Sequence, residues 1–402
     1  MSRATSDRQT ALPDPGPHGA VLAVFCHLSQ RKKHGWNNPA FGSSTLDGQR
    51  TAEMKTSLLW WGRFDPGYSR NRILRTLLKR NHIGLEDFRP RSSLLGSLES
   101  MVFRPQPADA IWVPCFRHRD FNSARRYADK LGVKLVFDPL ISSWDKVVQE
   151  RAKYPADHFR ARRLLKWERS LFSRADIVIA DTVLHANFYV DKLAAPADRT
   201  HVIPVGAEEA LFTQQPLRPL TASPEVLFFG SFIELQGPQH IIEAARQVPG
   251  VRWTLLGDGP LRSRCETLAG KVSNVHFENW LPYEQLAERI GKADVLLGVF
   301  GDSAKAGRVI PNKVYQALAC GRPVVTRVSK AYPPELQNDQ NSGLVLVAPA
   351  NPEALAGAVS SLISHGPTLS VLAEQAHKTY QQFFSESRIE KELLDVLADL
   401  EL

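Results

Sequence analysis

GDSAKAGRVIPNKVYQALACGRPVVTRV, residues 301–328, is the stretch whose reading decides the fold. Pro311 suits a first helical turn, where its missing N–H would be unpaired anyway, and Gly321 suits the residue just past a helix end, where positive φ is needed. A helix over residues 311–320 is predicted. DVLLGVF before it and RPVVTRV after it are short apolar runs that read as buried strands, so the helix crosses between two parallel strands of one sheet. Its N-terminus then lies at the carboxyl edge of that sheet. Open α/β sheets bind ligands at this edge, and unpaired N–H groups with the helix dipole attract phosphate there. Lys313 falls within that first turn.

The chain has 402 residues, 43% of them hydrophobic and 23% charged, enough for more than one core. Its four cysteines, Cys26, Cys115, Cys265 and Cys320, show no zinc-site or redox spacing, which points to a reducing compartment. GAVLAVFCHL, residues 19–28, is too short to span a bilayer and lacks a small-residue cleavage site. A cytoplasmic protein is expected, peripheral at the inner face of the plasma membrane.

Charge divides unevenly. Residues 54–205 hold 27 Lys and Arg against 16 Asp and Glu, whereas residues 206–402 hold 17 against 22. A basic half joined to an acidic half argues against a nucleic-acid binder coated evenly in positive charge. It points to one half meeting an anionic surface, a membrane among them, or an anionic substrate; solvated helix faces are the plainer alternative.

Strand and helix patterns alternate. TSLLWWG, DAIWVPC, VKLVFDP, RADIVIADT and THVIPVG read as strands, with helices at YSRNRILRTLLKRNH, FNSARRYADKLG and VLHANFYVDKL. After the polar, proline-containing TQQPLRPLTASPE a second alternation begins: VLFFGS, VRWTLLG, VHFEN, DVLLGVF, PVVTRV and GLVLVA. The α/β expectation is two Rossmann-like, doubly wound domains, over residues 54–212 and 213–380. Residues 381–402 form an amphipathic helix that packs back on the first domain. Residues 1–53 lack any period and read either as a poorly structured extension or as sequence upstream of a start at Met54.

Two short motifs are decoys. HRDF at residues 118–121 lacks the Asn, glycine-rich loop and DFG of a kinase, and GDGP at residues 257–260 lacks the third glycine of a dinucleotide site. No metal motif is present, and twelve histidines are scattered singly.

VLFFGSFIELQGPQHIIEAA, WTLLGDGPLR, VHFENWLPYEQLAERIGKADVLLGVF, IPNKVYQALACGRPVVT and NSGLVLVAPANPEALAGAV follow one another in an order that resembles the donor-binding domain of retaining GT-B glycosyltransferases of the family 4 type, the glycosyl transferases group 1. WWGRFDPGYSRNRILRTLLKR, VKLVFDPLISSWD and SRADIVIADTVLHANFYVDKL resemble the acceptor domain of the same GT-B fold more loosely. The resemblance implies two domains facing across a cleft. A sugar would pass from a nucleotide diphosphate sugar to an acceptor hydroxyl of a glycan or lipid-linked acceptor, with retention and with neither metal nor other cofactor.

That resemblance assigns residues. Lys313, with the N–H groups of its helix, would neutralise the leaving diphosphate. Gly230, Ser231, Gln236 and Gly237 form the glycine-rich turn on the donor, where many members carry Arg and Lys in place of Ser231 and Gln236. Two glutamates that many members carry eight positions apart are here Arg308 and Gln316; the Gln316 amide can still bond a ribose hydroxyl. Arg308, or Lys305, would restore the lost positive charge. Trp280 and Leu281 match the turn that meets the nucleobase, and Asn312 joins the donor set. His118 would hydrogen-bond the sugar or acceptor, and Gly67, Arg70, Arg72 and Asp138 belong to the acceptor side. Two rival readings stay open: a non-catalytic GT-B protein that binds nucleotide sugar or glycan within an assembly complex, and a GT-B sugar-nucleotide epimerase.

Overall fold

Two six-stranded sheets, every strand pairing parallel, carry the chain. The computed structural model describes residues 56–339 and 341–402, and residues 52–402 form one compact unit. Residues 1–53, with Cys26 and the question of a start at Met54, lie outside the described residues.

The first sheet comprises β1 (Thr56–Trp61), β2 (Ile83–Phe88), β3 (Ala110–Val113), β4 (Lys134–Phe137), β5 (Ile177–Ala180) and β6 (Thr200–Val202), in the order β2-β1-β3-β4-β5-β6. The second comprises β7 (Glu225–Phe229), β8 (Arg252–Leu256), β9 (Val275–Glu278), β10 (Val295–Leu297), β11 (Val324–Arg327) and β12 (Leu344–Val347), in the order β12-β11-β10-β7-β8-β9. Strand order reverses between β1 and β3 in one sheet and between β7 and β10 in the other. Those two points open crevices at the carboxyl ends of the strands. Nearly every residue of β3, β5, β7 and β10 is buried, as strands covered by helices on both faces require.

The 301–328 stretch forms loop, helix and strand as expected, the Asn312–Ala319 helix crossing between β10 and β11. Pro311 stands one residue earlier than its first-turn reading, as the extended cap at φ −67°, ψ 145°. Gly321 takes φ +67° just past the end. Elements of the first domain that were not foreseen include β2, whose IGLEDF lacks a clean alternation, the Gly96–Phe103 helix, whose large residues do not face a core, and the Phe159–Phe172 helix.

The chain crosses between the domains twice, near residues 206–212 and 384–386. Glu209 N donates to Glu386 Oε1 at 3.2 Å while Glu386 N donates to Glu209 Oε1 at 2.8 Å, a reciprocal pair that ties the crossings together. Beyond the second crossing the Glu386–Asp399 helix buries Ile389, Leu393, Val396 and Leu397 among Leu58, Trp60, Ile73 and Leu77 of the first domain. The i, i+4, i+7, i+8 spacing puts all four on one face. Each such side chain contributes roughly 1.5–3 kcal/mol when fully buried, so this helix belongs energetically to the first domain.

Candidate active site

The carboxyl ends of β7 and β10 meet over backbone. Gly230 follows β7 at φ +151°, and a Cβ there would lie 2.8 Å from Lys313 Nζ. Gly237, at φ +63°, opens the Pro238–Ala245 helix, and a Cβ on it would lie 2.8 Å from the Gly301 nitrogen. Glycine at both positions therefore lets the two turns touch and leaves room for an ammonium group. Ser231 is half-buried beside them.

Lys313, the second residue of its helix, is 5% exposed. Its Nζ donates to Gln236 Oε1 at 2.7 Å and sits 3.6 Å from the centroid of the Phe228 ring. No ion pair involves it among the described residues, and burial holds its pKa well below the ordinary lysine value. A cation beside a helix N-terminus, lacking a counter-charge, is suited to receive one.

Arg308 and Lys305, expected at the diphosphate, have other partners. Arg308 Nη2 donates to the Asp145 carboxylate and to Gln149 Oε1 at 2.5 Å, and Lys305 Nζ pairs with Glu150. These acceptors lie on the π-helical turn Asp145–Glu150 of the first domain, so both cations close the cleft instead of facing an empty anion site. Thr182 Oγ1 adds a bond to the Arg308 carbonyl at 2.6 Å. Burial raises the Asp145 pKa, an effect the Arg308 guanidinium opposes.

A second bridge starts from Gln316. Its Nε2 donates to the Tyr283 hydroxyl at 3.2 Å, Tyr283 donates to Glu208 Oε1 at 2.9 Å, and Arg72 Nε reaches Glu208 Oε2 at 3.0 Å. Arg72 also lies 4.8 Å over the Tyr283 ring. Burial pushes the Tyr283 phenol up to about 12, so it stays a donor at neutral pH. Tyr283 and Glu208 were missed in the sequence: Tyr283 stands within a quoted stretch but was given no role, and Glu208 stands in no motif. Trp280 is 39% exposed beside this turn, whereas Leu281 packs on the core. The Asn312 side chain meets the Tyr68 hydroxyl, one helix start facing the other.

Acceptor-side residues are more deeply structural than their assignment implies. Arg70 Nε pairs with Asp138 at 2.9 Å, both fully buried, and Arg70 Nη1 donates to the Ile203 carbonyl at 3.0 Å. Gly67 is exposed, its N–H given to Asp65 at 2.8 Å. His118 is 5% exposed, its Nε2 lying 3.4 Å from Glu168, with Phe137, Trp167 and Phe172 around the ring. Burial lowers its pKa to about 4. It lies packed against Glu168 and these rings as a neutral imidazole, more enclosed than the sugar or acceptor role assigned to it implies. No metal-ligating cluster occurs among the described residues.

Comparison with known proteins agrees with this architecture. The model "Glycosyl transferases group 1" matches residues 223–365, and "Glycosyl transferase 4-like domain" matches residues 61–206. The lipopolysaccharide core biosynthesis glycosyltransferase LpsE of Rhizobium meliloti is 29% identical over 44% of this chain and 50% of its own. The chain thus matches about half the length of that relative. The sucrose-phosphate synthase of Thermosynechococcus elongatus superposes with a TM-score of 0.67 at 19% identity, covering 86% of this chain and 99% of that one. Anabaena Alr3699/HepE in complex with UDP and glucose gives 0.62 at 18%, covering 85% and 99%. Two Rossmann-like domains in the GT-B arrangement, each matched by its own model, place this chain among the group 1 glycosyltransferases.

Proposed function

We propose that the protein transfers a sugar from a nucleotide diphosphate sugar to an acceptor hydroxyl, with retention of anomeric configuration and without a metal, in the synthesis of a cell-surface glycan or glycolipid. The observation that carries this reading is Lys313: a buried lysine with no counter-charge among the described residues, at a helix N-terminus, over two glycine turns at a sheet's switch point. A diphosphate seated there would meet the ammonium and the first N–H groups of the helix, and both strengthen as negative charge develops on the leaving group. Gln316 and Trp280 lie where the nucleoside end would extend. Names among its relatives support the substrate class, since LpsE is a lipopolysaccharide core enzyme and HepE binds UDP and glucose. The acceptor would enter from the first domain, at the inner face of the plasma membrane.

The rival non-catalytic reading draws on the same cleft, because Arg308 and Lys305 are neutralised by Asp145 and Glu150 and leave Lys313 to meet the diphosphate. One experiment separates the readings. Incubation with a panel of UDP- and GDP-sugars, with and without a truncated lipopolysaccharide core acceptor, yields a new glycoside with retained configuration by NMR if transfer is the function. Tight donor binding with no product supports the non-catalytic protein, and conversion of donor without acceptor supports an epimerase.

A further inference from the structure

The Gly96–Phe103 helix is inside out. Its inward face carries Gly96 and Ser100, packed on the Phe121–Leu131 helix, where a Cβ on Gly96 would lie 2.9 Å from Ser123 Oγ. Its outward side carries Leu98, Met101, Val102 and Phe103, and Leu94 and Leu95 extend it through the preceding turn. Leu94 is 80% exposed and Val102 75%. Leu94, Leu98, Met101 and Val102 stand at i, i+4, i+7 and i+8, which makes them one continuous ridge. Soluble proteins expose single apolar side chains freely, but six within ten residues mark an interaction surface.

The border of the ridge is cationic. Arg91 and Arg104 stand exposed at its two ends, and Arg126 is anchored beside it, donating to Ser97 Oγ at 3.2 Å and to the Leu94 carbonyl at 3.3 Å. Arg63 Nη1 donates to the Arg91 carbonyl at 3.4 Å, adding a fourth guanidinium. The acidic residue of the helix, Glu99, turns back to accept from the Arg91 and Ser92 nitrogens at 2.7 and 2.9 Å. Its charge is held at the helix start, away from the apolar face.

We propose that this ridge is the membrane-docking surface of the protein, its leucines, Met101, Val102 and Phe103 entering the interface of an anionic bilayer while the bordering arginines meet lipid phosphates. An apolar face rimmed by guanidinium groups matches a surface that is apolar beneath and negative above. A protein partner would have to offer the same layered pattern. Residues 54–205, in the first domain, hold 27 Lys and Arg against 16 Asp and Glu, so the field of that half orients the ridge toward a negative surface. Among the described residues no single helix is long and apolar enough to cross a membrane, so attachment through this ridge would be peripheral. The proposal rests on the reading of a lipid-linked acceptor, yet its test does not pass through catalysis.

Flotation of the full chain with vesicles of phosphatidylcholine containing about one third phosphatidylglycerol reads the surface directly. The wild type should float with them, and less so as salt screens the arginines. Leu98→Glu/Val102→Glu should weaken binding on the order of 10²-fold, because two inserted apolar side chains are replaced by charge. Arg91→Glu/Arg104→Glu should weaken it about tenfold and flatten the salt dependence. Transfer to a short water-soluble acceptor should be unchanged in both variants. A wild type that fails to float, or a Leu98→Glu/Val102→Glu variant that floats as well as wild type, overturns the proposal. So does a dimer that this variant converts to monomer with vesicle binding intact, which would make a second copy the occupant. Floating gained only on removal of residues 1–53 overturns it for the intact chain. Absence of transfer by a wild type that floats counts against the enzymatic reading alone.

Discussion

Lys313 Nζ and Gln236 Oε1 stand 2.7 Å apart where the ends of β7 and β10 meet, with the centroid of the Phe228 ring 3.6 Å from the ammonium. The amide contributes a dipole and no charge, so the lysine is held in place without being neutralised. That arrangement costs the charged form its hydration and leaves it in want of an anion.

The first prediction follows from proton balance. Burial keeps the Lys313 pKa below its unfolded value, so between the two pKa values the native state binds fewer protons and stability rises with pH. A diphosphate placed against Nζ favours the charged form. Above the folded pKa, binding of a nucleoside diphosphate should therefore take up a proton, measured by calorimetry in buffers of contrasting ionisation enthalpy. Lys313→Met should abolish that uptake, and Lys313→Ala should cost on the order of 10²–10³ in kcat with a smaller change in donor KM. Uptake that survives in the methionine variant removes Lys313 from the site.

Arg308→Ala tests the closed cleft. Removing the guanidinium strands a fully buried Asp145 carboxylate, and breaking such a pair costs roughly 3–5 kcal/mol. Urea denaturation should show that loss, and Asp145→Asn in the same chain should restore much of it. If Arg308→Ala is as stable as wild type and only turnover falls, Arg308 serves the diphosphate as the sequence suggested.

Gly237→Ala tests the backbone contact of the two turns. Its φ of +63° disfavours a side chain, and the clash partners are the Gly301 nitrogen and Phe300 carbonyl carbon, neither of which can rotate away. A loss of about 2 kcal/mol or more is expected, with donor binding weakened in step. Unchanged donor affinity in isothermal titration would detach this turn from the donor site.

Gln316→Glu would put a second carboxylate on the Tyr283 hydroxyl, which already donates to Glu208. One phenolic proton cannot serve both, so the bridge through Glu208 to Arg72 should loosen and the melting temperature of the free protein fall by a few degrees. Donor affinity should hold or improve through a charge-assisted bond to ribose. A donor KM raised tenfold would exclude a ribose contact at this position.

His118 sets an acid limit. Its folded pKa near 4 lies below the unfolded value of 6.5, so the native state binds fewer protons between them and stability is lost as pH falls through that window. His118→Phe should flatten the decline, read as the slope of denaturation free energy from pH 7 to pH 5. An equal slope in the variant would assign the acid sensitivity to other groups.

Much of the donor half was legible because its signals are local. Gly321 past a helix, Pro311 before it and apolar runs on either side each act within a few residues, and all six strands of the second sheet appear where apolar runs stand. β2 escaped because it lies at the edge of its sheet, where IGLEDF is only partly buried and need not alternate. The Gly96–Phe103 helix escaped because its pattern is reversed, small residues inward and large ones outward.

Sequence by itself determined two doubly wound domains, a lysine at the start of a crossing helix and a family, since periodicity, turn chemistry and motif order are properties of neighbouring residues. It could not assign the partners of that helix's surroundings. Arg308 finds Asp145 across 163 positions of chain and Lys305 finds Glu150 across 155. Whether a cation in the loop faces a substrate or a carboxylate depends on which side chains the opposite domain brings within Coulomb range. The same holds for His118, whose enclosure follows from the aromatic packing of Phe137 and Phe172 around it. Tertiary packing alone decided which charges were neutralised, and by doing so left Lys313 without a counter-ion among the described residues.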